Sequence, residues 1–505
     1  MGFETLDYVV MTGYLLGILL MGAYFMLRQE STDEYFLGSH NLHWFPVAIS
    51  MFASLLSAIS YIACPAEAYN HGMTMSLKSI FVVLGIPPAI YLFVRFFRRL
   101  SITTAYEYLE TRFSPAVRLT TAGLFLMLRS FYLGVVLFAS AVVLEPATGW
   151  PAWVSVLLVG VISTAYTTMG GISSVIWTDV LQFGVLTGGA LVVIGTVMIG
   201  NSVGPVEIWN FAEANGHAFN AVTTREFYLF DPFVRLSLWS MVVSAIFTKL
   251  AAAGADQVVI QRYLSTRNEK DATRSLVWGT IFGIPVMFLL YFVGLTLFWF
   301  YSMHPESALK NMTGDDVLAH YISTELAPGI GGLIMAAILA AVMSTVDSGL
   351  NSLATCSTVD FYKRVFRPKA NDRQSLLFAK TMTVVWGLVA MGSAALLMLL
   401  FGTDNRKNPL ISISEVTLGF FGGILLGVFL LGILTRRANT LGVMVGMVVG
   451  FFVALGATAP YYFCELPKGS PKLSFFWINI IGCLATFGVG YVVSFLSKPP
   501  RHDTT

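Results

Sequence analysis

Windows of about 20 consecutive, mostly apolar residues, long enough for a helix to cross the hydrocarbon layer of a bilayer, recur along the whole chain. Thirteen of them fall at approximately 7–27, 44–70, 77–97, 117–145, 152–169, 175–200, 237–262, 275–302, 328–362, 374–401, 408–434, 438–460 and 474–496. Lipid offers no water to the backbone, so such segments must satisfy their own N–H and C=O groups as helices. Only 11% of the 505 residues are charged and 56% are hydrophobic, whereas soluble domains carry about 25% charged residues. The expectation is an all-α, multi-pass membrane protein with 13 transmembrane helices, forming one transmembrane domain over residues 1–505 with the lipid bilayer as its surroundings.

Glu4 and Asp7 precede the first apolar run, which has no basic flank and no small-residue cleavage site. The first span is therefore expected to be retained rather than removed as a signal peptide. Basic residues crowd alternate loops: Arg95, Arg98, Arg99 and Arg112; Arg262, Arg267, Lys270 and Arg274; Lys363, Arg364, Arg367, Lys369 and Arg373; Arg436 and Arg437. The loop between Tyr301 and Leu326 holds Lys310 alone. By the positive-inside rule this places the amino terminus outside and the carboxyl tail, with Lys498 and Arg501, in the cytoplasm, for a protein of the plasma (cell inner) membrane. Cys64, Cys356, Cys464 and Cys483 lack metal-ligand spacing and read as small core residues. No Walker A sequence or HExxH occurs and the seven His are scattered, so an ATP-driven pump, a protease or another enzyme is not expected. The net charge of +2 points to no nucleic acid, and no segment calls for a protein partner.

Polar residues inside the apolar spans carry the functional information. The second span, WFPVAISMFASLLSAISYIACPAEAY, holds Ser50, Ser54, Ser57, Ser60 and Pro65; the seventh holds Lys249, a run of small residues, then Asp256 and Gln257. Interrupted helices at matching places in two halves are the best sequence pointer to a transporter site, and five spans separate these two. The ninth span ends AAVMSTVDSGLNS, residues 340–352. A carboxylate at membrane depth costs roughly 2.5–3.5 kcal/mol on the mildest scale, so Asp347 needs compensation. At 100° per residue, Ser344, Thr345 and Ser348 share an arc and Asp347 sits at its edge. Hydroxyls, a carboxylate and the carbonyls freed by a broken helix are oxygen ligands for a hard cation. The competing reading is that the hydroxyls bond their own preceding turn or allow close helix packing. Asp179, a turn inside the sixth span after Gly170-Gly171, fits either a ligand or a charge at a helix start.

Taken together, DEYFLGS (33–39), ITTAYEYLETRF (102–113), YTTMGGISSVIWTDVLQ (166–182), DQVVIQRYLSTRN (256–268) and AAVMSTVDSGLNS resemble the sodium/solute symporter family along nearly the whole chain. FYLGVVLFASAVVLE (131–145) and ACPAEAYNHG (63–72) resemble the branch of sodium/iodide, monocarboxylate and multivitamin symporters, and bacterial sodium/sialic acid symporters are similar along the same stretches. The resemblance implies a LeuT-like fold of five-plus-five inverted repeats, spans 2–6 over 44–200 and spans 7–11 over 237–434. The first span at 7–27 and two spans over 438–496 would be additions. It implies sodium-coupled import of a small solute by alternating access, with one or two Na⁺ ions co-transported. The first sodium site would use the carbonyls of Ala53, Leu56 and Ala341 with the side chains of Ser344 and Thr345. A second would match Asp179, Asp347 and Ser348; the sialic acid branch has Ser where this chain has Asp347, which could strengthen the site, alter its stoichiometry or bind a proton.

Candidates for the solute cavity are Ser57, Ser60, Lys78, Ser79, Arg129, Tyr132, Asp256, Gln257 and Glu415. Sialic acid carriers that resemble this chain bind a carboxylate with Arg at the position of Tyr132, and Arg129 lies one turn earlier on the same face. Arg129 could hold an organic anion, a monocarboxylate or sialic acid, or pair with Glu415; Lys78 could hold the anion or snorkel to the interface. Glu415 could instead hold the hydroxyls of a sugar or polyol such as glucose, galactose or inositol. A non-transporting sensor or a channel on the same scaffold is the reading from another class.

Overall fold

The structure, a computed structural model, describes residues 4–26, 31–306, 312–401, 410–462 and 472–496; Lys310, Cys464, Lys498 and Arg501 lie outside the described residues. The main helices are α1 (Thr5–Met26), α2 (Trp44–Ala53), α3 (Ala58–His71), α4 (Thr74–Arg99), α5 (Pro115–Thr148), α6 (Ala152–Asn201) and α7 (Leu238–Gly254). They continue as α8 (Gln257–Leu264), α9 (Glu269–Met303), α10 (Ile330–Cys356), α11 (Asp372–Phe401), α12 (Leu410–Leu434), α13 (Thr440–Tyr462) and α14 (Trp477–Val493). No strand occurs among the described residues.

Ten described helices are long and apolar enough to cross a bilayer, or eleven when α7 and α8, bent by 59°, count as one span. The expected thirteen are thus not confirmed. The fifth and sixth windows lie on the 50-residue α6, whose backbone leaves the helical region at Gly171 (φ 53°, ψ −158°), a conformation open to a residue without Cβ. The second window is split between α2 and α3, of 10 and 14 residues. α4 changes between 3-10, α and π turns, because Pro87 and Pro88 supply no N–H to the ladder.

α10 is the axis of the bundle. Every residue from Ile334 to Cys356 is buried, and α1, α5, α6 and α11 pack around it. A helix enclosed on all sides has no lipid face, so it can carry polar residues at any angle. α2 and α3 pack on α9, and α14 packs on α12 and α13. The outer helices instead expose Leu16, Leu20, Leu388, Leu399, Val448 and Phe452, an apolar belt that lipid tails cover.

The buried start of α10 is closed from another helix. Asp7 Oδ1 of α1 accepts from Gly329 N at 2.9 Å and Gly332 N at 2.6 Å. Asp7 is therefore a cap on α10 rather than a charge flanking the first span. Among the described residues near the opposite end of α10, Arg118 bonds Asp360 at 2.8 Å and Glu110 at 2.9 Å. Hydrogen bonds from Arg364 and then Arg118 hold the Glu110 carboxyl below the usual carboxylate range.

Removing the α10 cap with Asp7→Ala is expected to destabilise the bundle by about 1–2 kcal/mol. The apparent unfolding temperature in detergent should fall by a few degrees; an unchanged melt would contradict the capping role.

Candidate functional site

α2 stops at Ala53 and α3 starts at Ala58, leaving residues 54–57 non-helical. The Ala53 and Leu56 carbonyls lose the i+4 partners a continuous helix would supply, Ala53 accepting instead from Leu56 N at 3.2 Å, while Ser57 keeps its bond from Tyr61 N at 3.0 Å. Across the gap lies the middle of α10. Ser344 Oγ is 3.1 Å from the Ala53 carbonyl and 3.2 Å from the Ala341 carbonyl. Thr345 Oγ1 is 3.5 Å from the Leu56 carbonyl and 3.4 Å from that of Ala341. All five residues are buried. These spacings are long beside the roughly 2.7–2.8 Å usual for O–H···O bonds. Contacts within the preceding turn and contacts across the break therefore coexist.

Asp179, Asp347 and Ser348 also meet, but around a group the sequence reading assigned to a loop. Arg262 is 1% exposed, and its guanidinium donates to Asp179 at 3.0 Å, to Ser50 at 2.7 Å and to Ser348 Oγ. Ser50 Oγ donates to Asp179 Oδ2 at 2.5 Å. Asp347 accepts from Tyr166 at 2.7 Å and from Ser348 at 3.0 Å. Asp179 Oδ1 is buried with no hydrogen-bond partner among the described residues. The apolar run Val258, Val259, Ile260, Tyr263 and Leu264 around Arg262, unbroken by Gly or Pro, was the available sign that it continues a helix inside the bundle. Tyr166 carried no such sign.

A cavity of about 280 Å³ opens beside the break. Ser60, Lys78, Ser79, Tyr132 and Glu415 line it, and so does Leu56, whose carbonyl faces Thr345. Its other walls are largely apolar, including Phe52, Ile59, Met75, Val82 and Met287. Lys78 neither snorkels nor waits free: its ammonium holds both oxygens of Glu415, at 2.7 and 2.6 Å. Ser57 sits behind the wall, 3.5 Å from the Tyr132 hydroxyl.

Four expected cavity residues do not line this space: Ser57 and the three that follow. Arg129 pairs with Asp256 at 2.6 Å, not with Glu415. Asp256 also accepts from Val258 N at 3.0 Å, so it caps α8 at the bend where an N-terminal carboxylate is favoured. Gln257 bonds the Thr103 carbonyl at 2.9 Å and the Ala105 N–H at 3.2 Å. Arg129 joins α5 to the bend through Asp256, while Asp256 and Gln257 bond backbone groups beside the broken helix. Lys249, noted in the seventh span but given no role, lines the cavity.

Comparison with known proteins decides the family. The profile of the Sodium:solute symporter family matches residues 35–450. The chain belongs to that family. It is 30% identical to the sodium/sialic acid symporter NanT of Aliivibrio fischeri, over 98% of this chain and 94% of that protein. It is 31% identical to the human sodium-coupled monocarboxylate transporter 1, over 96% of this chain and 78% of the relative. A solved Na⁺-coupled sialic acid symporter, in a substrate-bound outward-open state reported with a novel Na⁺ site, superposes with a TM-score of 0.85 at 29% identity. The superposition covers 98% of this chain and 99% of that one. The nucleobase-cation-symport-1 transporter Mhp1 shares the fold at a TM-score of 0.57 and 15% identity. This symporter is accordingly a multi-pass, sodium-coupled membrane transporter of small solutes with a LeuT-like fold, not an enzyme.

The Arg262–Asp179 pair has a testable energetic consequence. Arg262→Met leaves a buried carboxylate uncompensated and is expected to lose about 3–5 kcal/mol, read as poor expression and a lower melting temperature. Adding Asp179→Asn should recover most of that loss; a double variant no better than the single one would refute the pairing.

Proposed function

We propose that this symporter couples sodium entry to uptake of a small organic anion. Ala53, Leu56, Ala341, Ser344 and Thr345 form the proposed first sodium site. The single observation that carries this reading is the meeting of the Ser344 and Thr345 hydroxyls with the carbonyls at the α2–α3 break. A hard cation held octahedrally at about 2.4 Å separates neighbouring oxygens by about 3.4 Å. The oxygens here stand 3.1–3.5 Å apart. Leu56 belongs both to this group and to the cavity wall, which joins ion and solute physically.

Asp179, Asp347 and Ser348 form the proposed second cation site. Arg262 bonds Asp179 and Ser348, and Asp347 accepts from Ser348, so two carboxyl groups share one guanidinium and a bound cation would complete the charge balance when both are ionised. Sodium is the proposed ion there.

The organic-anion reading is preferred over sugar because Glu415 is held at both oxygens by Lys78. A carboxylate so engaged has little left for vicinal hydroxyls, and the apolar walls suit a carbon skeleton better than a polyol. The sialic acid and monocarboxylate carriers among the relatives support the same class. The proposed organisation is two inverted repeats, 44–200 and 237–434, each with a break in its first span. The proposed placement is the plasma membrane with the amino terminus outside, on the strength of the basic groups Arg95–Arg112, Arg267–Arg274 and Lys363–Arg373. Arg262 no longer counts toward that bias.

Purified protein in liposomes with an inward sodium gradient should accumulate pyruvate or sialic acid, and neither glucose nor inositol. Uptake should collapse when choline replaces sodium. Ser344→Ala and Thr345→Ala should each raise the half-saturating sodium concentration at least about tenfold. Sodium-independent uptake, or sugar uptake alone, would overturn the proposal.

A further inference from the structure

Lys249 is a charged residue of the cavity wall without a charged partner among the described residues. It lies in the last turns of α7, just before the bend, and is 9% exposed. Its stem is fixed by close packing: a Cβ on Gly85 of α4 would stand 2.6 Å from Lys249 Cβ. The ammonium donates to Thr280 Oγ1 at 2.5 Å, and Thr280 spends its own proton on the Leu276 carbonyl at 2.7 Å. An ammonium carries three donors. Here one of them has a neutral hydroxyl acceptor, and among the described residues no carboxylate lies within ion-pair distance of it. The side chain is too enclosed to reach the interface by snorkelling.

Of the three charged residues lining the cavity, Lys78 and Glu415 neutralise each other. Lys249 therefore leaves the chamber with a net charge of one positive unit, facing a space of about 280 Å³. At about 30 Å³ per water, that space holds about nine waters or a small organic molecule. We propose that the Lys249 ammonium receives the carboxylate of the transported anion, with Thr280 orienting it. The inference rests on the organic-anion reading. It assigns the charge recognition to α7 rather than to Arg129, whose guanidinium is committed to Asp256.

The test is sodium-driven uptake in liposomes of labelled pyruvate, lactate and N-acetylneuraminate, each competed by its own unlabelled carboxylate and by the corresponding primary amide. The wild-type protein should prefer the carboxylate of its substrate at least about tenfold, the scale of a charged hydrogen bond. Lys249→Met should bring that ratio close to one, and Lys249→Arg should restore part of it. Stabilisation by sodium in a thermal melt should persist in both, reporting a folded bundle with its ion site intact. If Lys249→Met is not monodisperse, Lys249→Gln is read in the same way. A Lys249 variant that keeps the wild-type ratio and KM overturns the inference and leaves the anion reading standing. A wild-type protein that moves none of the three carboxylates removes the anion reading, and the role of Lys249 with it.

Discussion

The hydroxyls of Ser344 and Thr345 facing the carbonyls of Ala53 and Leu56 are the contact on which the rest of this architecture depends. It requires a helix that stops in mid-membrane, since only there do carbonyls lack their own turn. Such a stop is tolerable only where protein, not lipid, surrounds it. α10 meets that condition because it is buried from Ile334 to Cys356. The enclosing helices α1, α5, α6 and α11 are thus as necessary to the polar centre as the polar residues themselves. Asp7 belongs to the same requirement, since it accepts the N–H groups of Gly329 and Gly332 at the start of α10.

Much of this was legible in the amino-acid order. The polar insertions in AAVMSTVDSGLNS and the serines of the second span stand out against apolar neighbours. Their helical spacing put Ser344 and Thr345 on a shared arc, and the structure brings the named five residues together. The break itself was visible as small and polar residues where a uniform span would carry Leu and Val. What one dimension could not supply was the partner of each charge. Lys78, Arg129 and Arg262 all had several carboxylates within reach along the sequence. Which pairs form depends on where α4, α5 and α8 lie in space, and tertiary packing alone decides that. The turn expected at Gly170-Gly171, between the fifth and sixth windows, coincides with the backbone change at Gly171.

The stretches that carry the family resemblance turn out to touch one another. Gln257 ties the segment of Thr103 and Ala105 to α8. Gln261 bonds the Phe36 carbonyl at 2.6 Å and Thr355 at 3.0 Å. Tyr166 bonds Asp347. Motifs far apart in sequence are therefore the two sides of the same joints, around the bend between α7 and α8 and the polar end of α10. Satisfied buried networks of this kind are stiff and specify one arrangement. In this molecule they tie the bend between α7 and α8 to the helix that carries the hydroxyls, and those hydroxyls meet the α2–α3 break directly.

The charge of the solute gives the Asp179–Asp347 group a physical purpose. A tenfold sodium gradient supplies about 1.4 kcal/mol per ion, and a membrane potential of −100 mV about 2.3 kcal/mol per net charge moved inward. A sugar entering with one sodium draws on both terms, enough for several-hundred-fold accumulation. A monoanion entering with one sodium moves no net charge and is limited to about tenfold. A second sodium restores the electrical term, and about 5 kcal/mol supports accumulation of several thousand-fold. Each added sodium contributes the same amount, about 3.7 kcal/mol, to either carrier; an anion carrier therefore needs a second cation to exceed the accumulation that a sugar carrier reaches with one. Two carboxyl groups enclosed with a single guanidinium, beside the oxygens of the α2–α3 break and a chamber one charge positive, are the proposed electrostatic counterpart of that requirement.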